Sequence, residues 1–525
     1  MKALYNYSFL IAIGIAGLFS CDPKFDVPTP GADGKIDLTN YVAIGNSLTA
    51  GFASNGLYLE GQKGAYPVLI AQQFKLAGGG DFNAPLFSED QRDGTGYLRL
   101  DGFLSPTSPI LTTVPRDPDA LAGKSPFAYN PRLNPDSSVL KPYLGPQNHN
   151  FGVPGIRIAD IETVGYGFPN AYFGRMLSDA EKPGKTYSSK VLEQNPTFFT
   201  CWLGNNDVLG YSTSGGYVDL GTITDPTLFT TNYSGLINNL TALGSKPKGV
   251  VANIPEVTSI PFFTTVTPGV KTALSAKGIA NIYEFKFDSI FQNTIVPILL
   301  NPSPAVVIWD ITKINTIPTT RLASKGILGN FEGDAYLTLT FSPYAGLIGR
   351  EGGKIGGEGA GKAWRDIIKL LVGTFILPPP FNAIPKDQLE NLAWAKSGID
   401  TTKPFGVHPQ NPIPDVFVLN PNESLRAKNA VVNYNQIIKN IADSKGLAFV
   451  DANKFLGEIT RGSYFDAIST SSSFLSGGAF SLDGVHLTPR GNALAANEFI
   501  KAINAKYGTK ITVLNVGQYK GVTFP

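Results

Sequence analysis

Short apolar runs alternate with helix-like segments along this chain. The runs that predict strands are Tyr41 to Ile44, Asn150 to Gly155, Pro196 to Leu203, Lys248 to Ile254 and Leu447 to Asp451. Each is short and followed by turn residues, as buried strands are. Helical spacing is found in Thr231 to Leu243, Ala427 to Ser444 and Pro489 to Tyr507. This alternation predicts an α/β fold in which helices pack on the faces of a parallel sheet.

Two long stretches interrupt the alternation. Residues 84–147 are crowded with Pro, Asp and Gly, and residues from about 256 to 425 mix short apolar runs with glycine-rich turns. Loops this long in a compact domain are usually functional, disordered or provided with elements of their own. We interpret both as insertions into one domain of residues 37–525. The sequence does not distinguish lids and substrate walls from packing elements.

The N-terminus has the features of an export signal. Lys2 is followed by an apolar stretch over residues 8–19, and Leu18-Phe19-Ser20-Cys21 resembles a bacterial lipobox, in which the cysteine is lipidated. The stretch is too short for a membrane span and predicts a signal peptide over residues 1–20. The Pro-, Asp- and Gly-rich residues 21–36 predict a flexible tether. We expect an exported bacterial lipoprotein anchored through Cys21, facing the periplasm or on the outer-membrane surface. An ordinary cleaved signal is the alternative.

Composition limits the partners and the means of stabilisation. The 525 residues are 42% hydrophobic and 16% charged with a net charge of +2, so no basic field for nucleic acid is present. Besides Cys21 the sequence holds one cysteine, Cys201, which excludes an intrachain disulfide in a lipidated protein. We expect Cys201 to be buried in the third strand. His149 and His408 lie in Asn- and Pro-rich loops and are expected to be exposed.

A serine and a histidine at opposite ends of the chain are candidates for catalysis. Ser47 follows the first predicted strand, so its hydroxyl can project from the carboxyl edge of the sheet, where α/β folds place ligands. Asp483 precedes His486 by three residues, close enough for its carboxylate to bond one ring nitrogen while the other nitrogen faces a serine. Taken singly, Ser47 is more simply a helix cap and the acid–histidine pair a surface loop.

Two further turns offer hydrogen-bond donors. Asn150 to Gly155 and Leu203 to Asp207 each place glycine and asparagine after a predicted strand. Acyl transfer develops negative charge on a carbonyl oxygen, which a glycine N–H and an asparagine amide can both stabilise. Alone, either segment indicates only a turn, because Gly and Asn are common turn formers.

In this order, the four segments resemble the SGNH or GDSL family of hydrolases, whose four blocks contribute Ser, Gly, Asn and His. The matching segments are Gly45-Asn46-Ser47-Leu48, with Asn46 where the family often has Asp, then Gly155, Gly204-x-Asn206-Asp207 and Asp483-x-x-His486. The resemblance covers about residues 37–507 and leaves the two insertions unexplained. It implies a three-layer α/β/α fold of the flavodoxin-like type with a central parallel sheet.

The resemblance also implies an activity, the hydrolysis of carboxylic esters through an acyl-enzyme. Ser47 would be the nucleophile, His486 the base and Asp483 its orienting acid, while the N–H groups of Ser47 and Gly155 and the amide of Asn206 would hold the oxyanion. The implied mechanism needs no metal or cofactor. O-acyl or acetyl groups on carbohydrate, or short-chain esters, are the favoured substrates. The alternatives are a lipase or lysophospholipase, and a non-catalytic surface-binding lipoprotein.

Overall fold

The computed structural model describes most of the chain after the predicted tether. The described residues are 31–32, 34–105, 108–125, 137–216, 221–279, 281–285, 327–329, 335–350 and 399–525, with positions 361, 364–366, 369 and 387 between the last two ranges. The predicted signal peptide, Cys21 and most of the tether lie outside them.

A parallel sheet organises the described part of the chain. Its five strands are β1 (Tyr41–Gly45), β2 (Asn150–Gly152), β3 (Phe198–Trp202), β4 (Lys248–Ala252) and β5 (Ala448–Val450). They lie in the order β5-β4-β3-β1-β2, and every neighbouring pair is parallel. The carboxyl ends of all five strands therefore meet at one edge of the sheet.

Helices connect the strands and continue beyond them. They are α1 (Ser47–Ala50), α2 (Leu59–Lys63), α3 (Tyr66–Leu76), α4 (Ala171–Gly174), α5 (Tyr187–Leu192), α6 (Asn206–Thr213), α7 (Pro226–Thr241), α8 (Pro261–Thr264), α9 (Val266–Ala276), α10 (Pro421–Ser444), α11 (Ala452–Arg461) and α12 (Pro489–Tyr507). Short 3-10 helices include Ile158–Asp160 and Val257–Ser259.

The sheet is buried on both faces. Val42 and Ile44 of β1 pack with residues of α7 and α10, whereas Tyr41 and Ala43 pack with residues of α3 and α12. Strands buried on both faces appear in a sequence as continuous apolar runs, and those runs are the pattern from which the strands are predicted. The predicted α/β fold, with a parallel central sheet flanked by helices, is confirmed.

The predicted helices are present, and two of them begin earlier than predicted. Helices α7 and α10 start more than one turn before the predicted Thr231 and Ala427. The side chains of Asp225 and Asn420 accept hydrogen bonds from the first N–H groups, and proline follows each of them in the first turn. Because the apolar spacing starts only after these caps, periodicity alone misses them.

The two long stretches have secondary structure of their own. In the first, two antiparallel hairpins form, Tyr97–Ser105 with Ser108–Val114 and Leu121–Lys124 with Ser138–Leu140. In the second, Asn281–Phe285 pairs with Ile327–Gly329 and Ile413–Pro414, and Tyr336–Leu337 pairs with Val418–Leu419. A separate apolar cluster lies beneath these strands and includes Val266, Phe341, Trp364 and Phe417. A further hairpin, Ser463–Phe465 with Ile468–Thr470, follows α11.

A buried tyrosine hydroxyl joins the carboxyl ends of β1 and β2. Tyr187 donates a hydrogen bond to the carbonyl of Phe151 at 2.6 Å and accepts one from the N–H of Gly45 at 3.1 Å. Tyr507 makes the same kind of contact at the amino end of β4, where it donates to the carbonyl of Gly249 at 2.7 Å and accepts from its N–H at 3.3 Å. Tyr187 is fully buried, whereas Tyr507 is half-buried.

We predict that Tyr187→Phe destabilises the protein more than Tyr507→Phe. Loss of the Tyr187 hydroxyl removes two buried hydrogen bonds that water does not replace, each worth about 0.5–1.5 kcal/mol, whereas water can replace the hydroxyl of Tyr507. Urea denaturation of the two variants measures the difference. Equal losses of unfolding free energy would contradict this role of burial.

Candidate active site

Ser47 lies on a tight turn between β1 and α1. Asn46 caps α1, since its Oδ1 accepts a hydrogen bond from the N–H of Leu48 at 3.0 Å. A Cβ atom at Gly45 would lie 1.8 Å from Oγ1 of Thr49, so the turn favours glycine there. An aspartate at position 46 could accept the same hydrogen bond, so the asparagine found here is compatible with the turn.

Ser47, His486 and Asp483 form one chain of hydrogen bonds. Nε2 of His486 lies 2.8 Å from Oγ of Ser47, and Nδ1 lies 2.9 Å from Oδ2 of Asp483. Ser47 is 6% exposed, and the side chains of His486 and Asp483 are 14% and 10% exposed. The predicted contact between the two ends of the chain is therefore present, and the imidazole bridges the hydroxyl and the carboxylate.

Asp483 is held as a carboxylate by the loop around it. Its oxygens accept hydrogen bonds from the N–H groups of Asn55, Val485 and His486 and from the hydroxyl of Ser481. Burial raises the pKa of Asp483, but the neighbouring His486 and the hydrogen bonds lower it by more than burial raises it. The pKa therefore lies well below its usual range. A permanent negative charge beside Nδ1 fixes the imidazole and stabilises its protonated form.

Two of the three predicted oxyanion donors, Gly155 and Asn206, lie on loops that contact each other. Strand β2 ends at Gly152 rather than at the predicted Gly155, which adopts a φ of 78°. The amide of Asn206 donates to the carbonyl of Ile156 at 2.9 Å, immediately after Gly155. Within the described residues, the N–H groups of Ser47 and Gly155 have no acceptor. Three candidate donors are thus available to a ligand: these two N–H groups and the second N–H of the Asn206 amide.

Asp207 holds the same two loops together. Its carboxylate accepts hydrogen bonds from the N–H groups of Ile158 and Ala159, at 2.8 and 3.3 Å, and from the hydroxyl of Thr224 at 2.6 Å. Burial raises the pKa of Asp207 to about 7, although these donors and the nearby Arg157 lower it. Asp207 therefore positions the segment after Gly155 against the turn that carries Asn206.

A pocket adjoins Ser47 and His486. It encloses about 670 Å³ of space, part of which is open solvent. Of the eighteen described residues that line it, thirteen are apolar. The polar lining residues are Asn46, Ser47, Asn205, Asn206 and His486. A ligand in this pocket would lie against the hydroxyl, the imidazole and the Asn206 turn.

Several residues that support His486 and Asp483 cannot be identified from the sequence. The ring of Phe52 lies 4.8 Å from the imidazole of His486, and Asn55, with a φ of 64°, presents its N–H to Asp483. Ser54-Asn55-Gly56 signals a turn, yet nothing in it indicates an acid 428 residues away as its acceptor. The apolar residues of α11 that line the pocket carry no local signal of that role.

The expectations for the remaining cysteine and histidines have mixed outcomes. Cys201 is buried in β3 as predicted, and burial raises the pKa of its thiol to about 12. His149 is 8% exposed, so the prediction of an exposed side chain is wrong for it. His149 directly precedes β2 and extends its pairing with β1, since its carbonyl accepts a hydrogen bond from the N–H of Ala43. Its ring accepts a hydrogen bond from the N–H of Asn83. His408 is half-exposed.

Three buried carboxylates lie close together in another part of the molecule. Oxygens of Glu284, Asp415 and Glu423 are within 4.8 Å of one another, a spacing that a hard cation accepts. Asn420 donates its amide to Glu284 and its N–H to Glu423, and all three acids have further interactions. These contacts account for part of the buried charge, and the spacing alone does not establish a metal site.

Comparisons of the chain with protein-family models, curated proteins and solved structures give no match. A hydroxyl bonded to an imidazole, which is bonded in turn to a buried carboxylate, can lose its proton as it attacks an electrophilic carbon. Donors on neighbouring loops can stabilise the negative charge that this attack creates.

We predict that Asp207 makes stability depend on pH between about 4 and 7. The pKa of an aspartate in an unfolded chain is about 3.9, whereas burial raises the pKa of Asp207 in the folded protein to about 7. In this window the folded state binds the extra proton, so the contribution of Asp207 is complete below pH 4 and is lost as the pH rises through 7.

Asp207→Asn tests this prediction, because an amide can keep the hydrogen bonds to Ile158 and Thr224. Urea denaturation at a series of pH values should show the unfolding free energy of the wild type falling relative to that of the variant as the pH rises. Each unit of pKa difference corresponds to about 1.4 kcal/mol. A constant difference between the two proteins across the window would contradict the raised pKa.

Proposed function

We propose that this protein is a serine hydrolase that cleaves carboxylic esters through an acyl-enzyme. The observation that carries the proposal is the continuous hydrogen-bonded chain from Asp483 through His486 to Ser47, at the edge of a pocket. The resemblance of the four segments to the SGNH or GDSL hydrolases supports it. The finer assignment of the fold, a three-layer flavodoxin-like sandwich of that family, belongs to the same proposal.

The positions of the side chains support the following sequence of steps. His486 removes the proton of Ser47 as the hydroxyl attacks the ester carbonyl, and Asp483 stabilises the imidazolium that forms. The N–H groups of Ser47 and Gly155 and the Asn206 amide hold the oxyanion. His486 then protonates the departing alcohol. In the second half of the cycle it activates a water molecule, which releases the acid and regenerates Ser47.

The non-catalytic alternative is less well supported. A binding protein gains nothing from a nucleophile, a base and an acid aligned at 2.8 and 2.9 Å, and a buried ionised group such as Asp483 is costly without a partner. Several backbone N–H groups converge on Asp483, which is the support that a catalytic acid needs. We therefore place hydrolysis first. O-acyl groups on carbohydrate, short-chain esters and longer-chain lipids are the candidate substrates.

Localisation stays a prediction from the sequence. The lipobox-like run ending at Cys21 lies outside the described residues. Among the helices that the structure describes, none is long and apolar enough to cross a membrane. We propose an exported lipoprotein whose link to the membrane is the lipid on Cys21, facing the periplasm or on the outer-membrane surface.

We predict that a fluorophosphonate probe labels the purified full-length protein at Ser47. Ser47→Ala should abolish labelling and lower the hydrolysis of nitrophenyl esters by on the order of 10³-fold or more, because the attacking oxygen is lost. Ser188→Ala is the matched control, since Ser188 is a buried serine on α5. Absence of labelling in folded wild-type protein, or equal labelling of both variants, would sink the proposal.

We predict that Asn206→Ala lowers kcat by about 10²- to 10³-fold, because one oxyanion donor is removed. The control is Asn232→Ala. Asn232 donates its amide to the carbonyl of Ile158 at 2.9 Å, so its loss frees the same loop without removing a candidate oxyanion donor. Steady-state kinetics on a nitrophenyl ester compares the two. Equal losses would show that Asn206 acts only by holding the loop.

A further inference from the structure

One wall of the pocket beside Ser47 comes from elements outside the four segments that hold the candidate catalytic groups. Phe455, Leu456 and Ile459 lie on one face of α11, and Val257 and Ile260 belong to the turn that follows β4. All five are less than 9% exposed. Side chains at positions i, i+1 and i+4 share one face of a helix, so α11 presents a continuous aliphatic and aromatic surface to the pocket.

The lining is uncharged as well as apolar. No Asp, Glu, Lys or Arg is among the described residues that line the pocket, so a phosphate, an amine or a carboxylate in it would find no opposite charge. Its polar groups are those of the candidate catalytic site and the adjoining asparagines. Binding in the rest of the pocket therefore depends on the removal of apolar surface from water.

The aromatic residues of the pocket do not form a platform for sugars. Trp202, Phe455 and Phe480 are 3%, 7% and 4% exposed, so only a small part of each side chain faces the pocket, too little for a sugar ring to stack on. The indole N–H of Trp202 is already bonded to the carbonyl of Asn253 at 3.1 Å. A sugar ring needs an accessible aromatic face and hydrogen-bond partners for its hydroxyl groups, and this wall offers neither.

We propose that the pocket binds an aliphatic chain of the substrate, so that the preferred ester carries a chain longer than acetyl. The inference rests on the proposed esterase function and changes its substrate preference, from acetyl groups towards medium-chain esters. The ester carbonyl lies at Ser47, and the chain lies against the apolar residues of α11 that line the pocket. The chain is in either the acyl or the alcohol part of the ester, and in both cases the group that the pocket binds is an unbranched alkyl chain.

The expected effect follows from burial. Each buried CH₂ group is worth about fourfold in binding, so kcat/KM rises by up to about fourfold per CH₂ group until the pocket is filled. Nitrophenyl acetate, butyrate, hexanoate and octanoate vary the acyl part, and ethyl, butyl and hexyl acetate vary the alcohol part. Rates are measured below the critical micelle concentration and divided by those of hydroxide-catalysed hydrolysis. A rise in either series supports the proposal and locates the chain.

A substitution that fills the pocket tests the role of α11. Ile459→Phe should shift the optimum to shorter chains and lower the octanoate-to-acetate ratio by about tenfold. Ile503→Phe is the matched control: Ile459 and Ile503 are both fully buried in the same apolar core, but Ile503 does not line the pocket. Its ratio should remain that of the wild type. Equal shifts in the two variants would overturn the assignment.

A second measurement on the wild type keeps the test valid if Ile459→Phe does not fold. Alkylboronic acids bind active-site serines, and their inhibition constants should fall as the chain lengthens from butyl to octyl. Constants and rates that do not change with chain length, in protein that the fluorophosphonate labels at Ser47, would overturn the inference and leave the esterase function standing. A preference for acetylated sugar over hexanoate would do the same. Failure of labelling would sink both proposals.

Discussion

The parallel pairing of β1 with both β2 and β3 is the constraint on which the candidate site depends. Parallel strands bring all their carboxyl ends to one edge, so the residues that follow each strand become neighbours even when they are far apart in sequence. Ser47 follows β1, Gly155 follows β2 and Asn206 follows β3. An antiparallel arrangement of the same strands would send alternate ends to opposite edges and separate these groups.

The loop of Asp483 and His486 meets this edge from the far end of the chain. It is held there by backbone contacts as well as by the imidazole: the N–H of Asn55 bonds to Asp483, and the N–H of Ser54 bonds to the hydroxyl of Ser481 at 2.9 Å. The segment after α1 therefore supplies one donor to Asp483 directly and holds the hydroxyl of Ser481, which donates to Asp483 in turn. Nucleophile and base are aligned because each is attached to the same short stretch of chain.

Two buried carboxylates on this edge show how local donors decide the state of an acid. Asp483 is bonded to several backbone N–H groups and to His486, and its pKa lies well below the usual range. Asp207 also accepts bonds from three donors, yet burial raises its pKa to about 7. The difference lies in the adjacent cation-forming imidazole, which only Asp483 contacts directly. Asp483 is suited to stabilise positive charge on His486, and Asp207 to join two loops.

Some features of the fold and the candidate site depend on local sequence and others on long-range packing, and only the local ones can be predicted from the sequence. The strands, the parallel fold and the contact between Ser47, His486 and Asp483 could be predicted, because each depends on local periodicity or on short motifs at strand ends. The donors from Asn55 and Ser481 could not, since their partners are fixed only by the packing of distant segments. The apolar pattern does not predict the starts of α7 and α10 for a different reason: their caps are polar and precede that pattern.

The pocket also combines residues from recognisable motifs with residues that carry no motif. In the proposed reaction, Ser47 and His486 determine which bond is attacked, whereas α11 and the turn at Val257 line the space beside them. Nothing in the motif-bearing segments constrains the residues of α11, whose apolar face looks like that of any helix packed on a core. The proposed reaction class depends on four short segments. The proposed substrate preference depends on which apolar side chains the fold brings to the edge of the sheet, and here they are both aliphatic and aromatic.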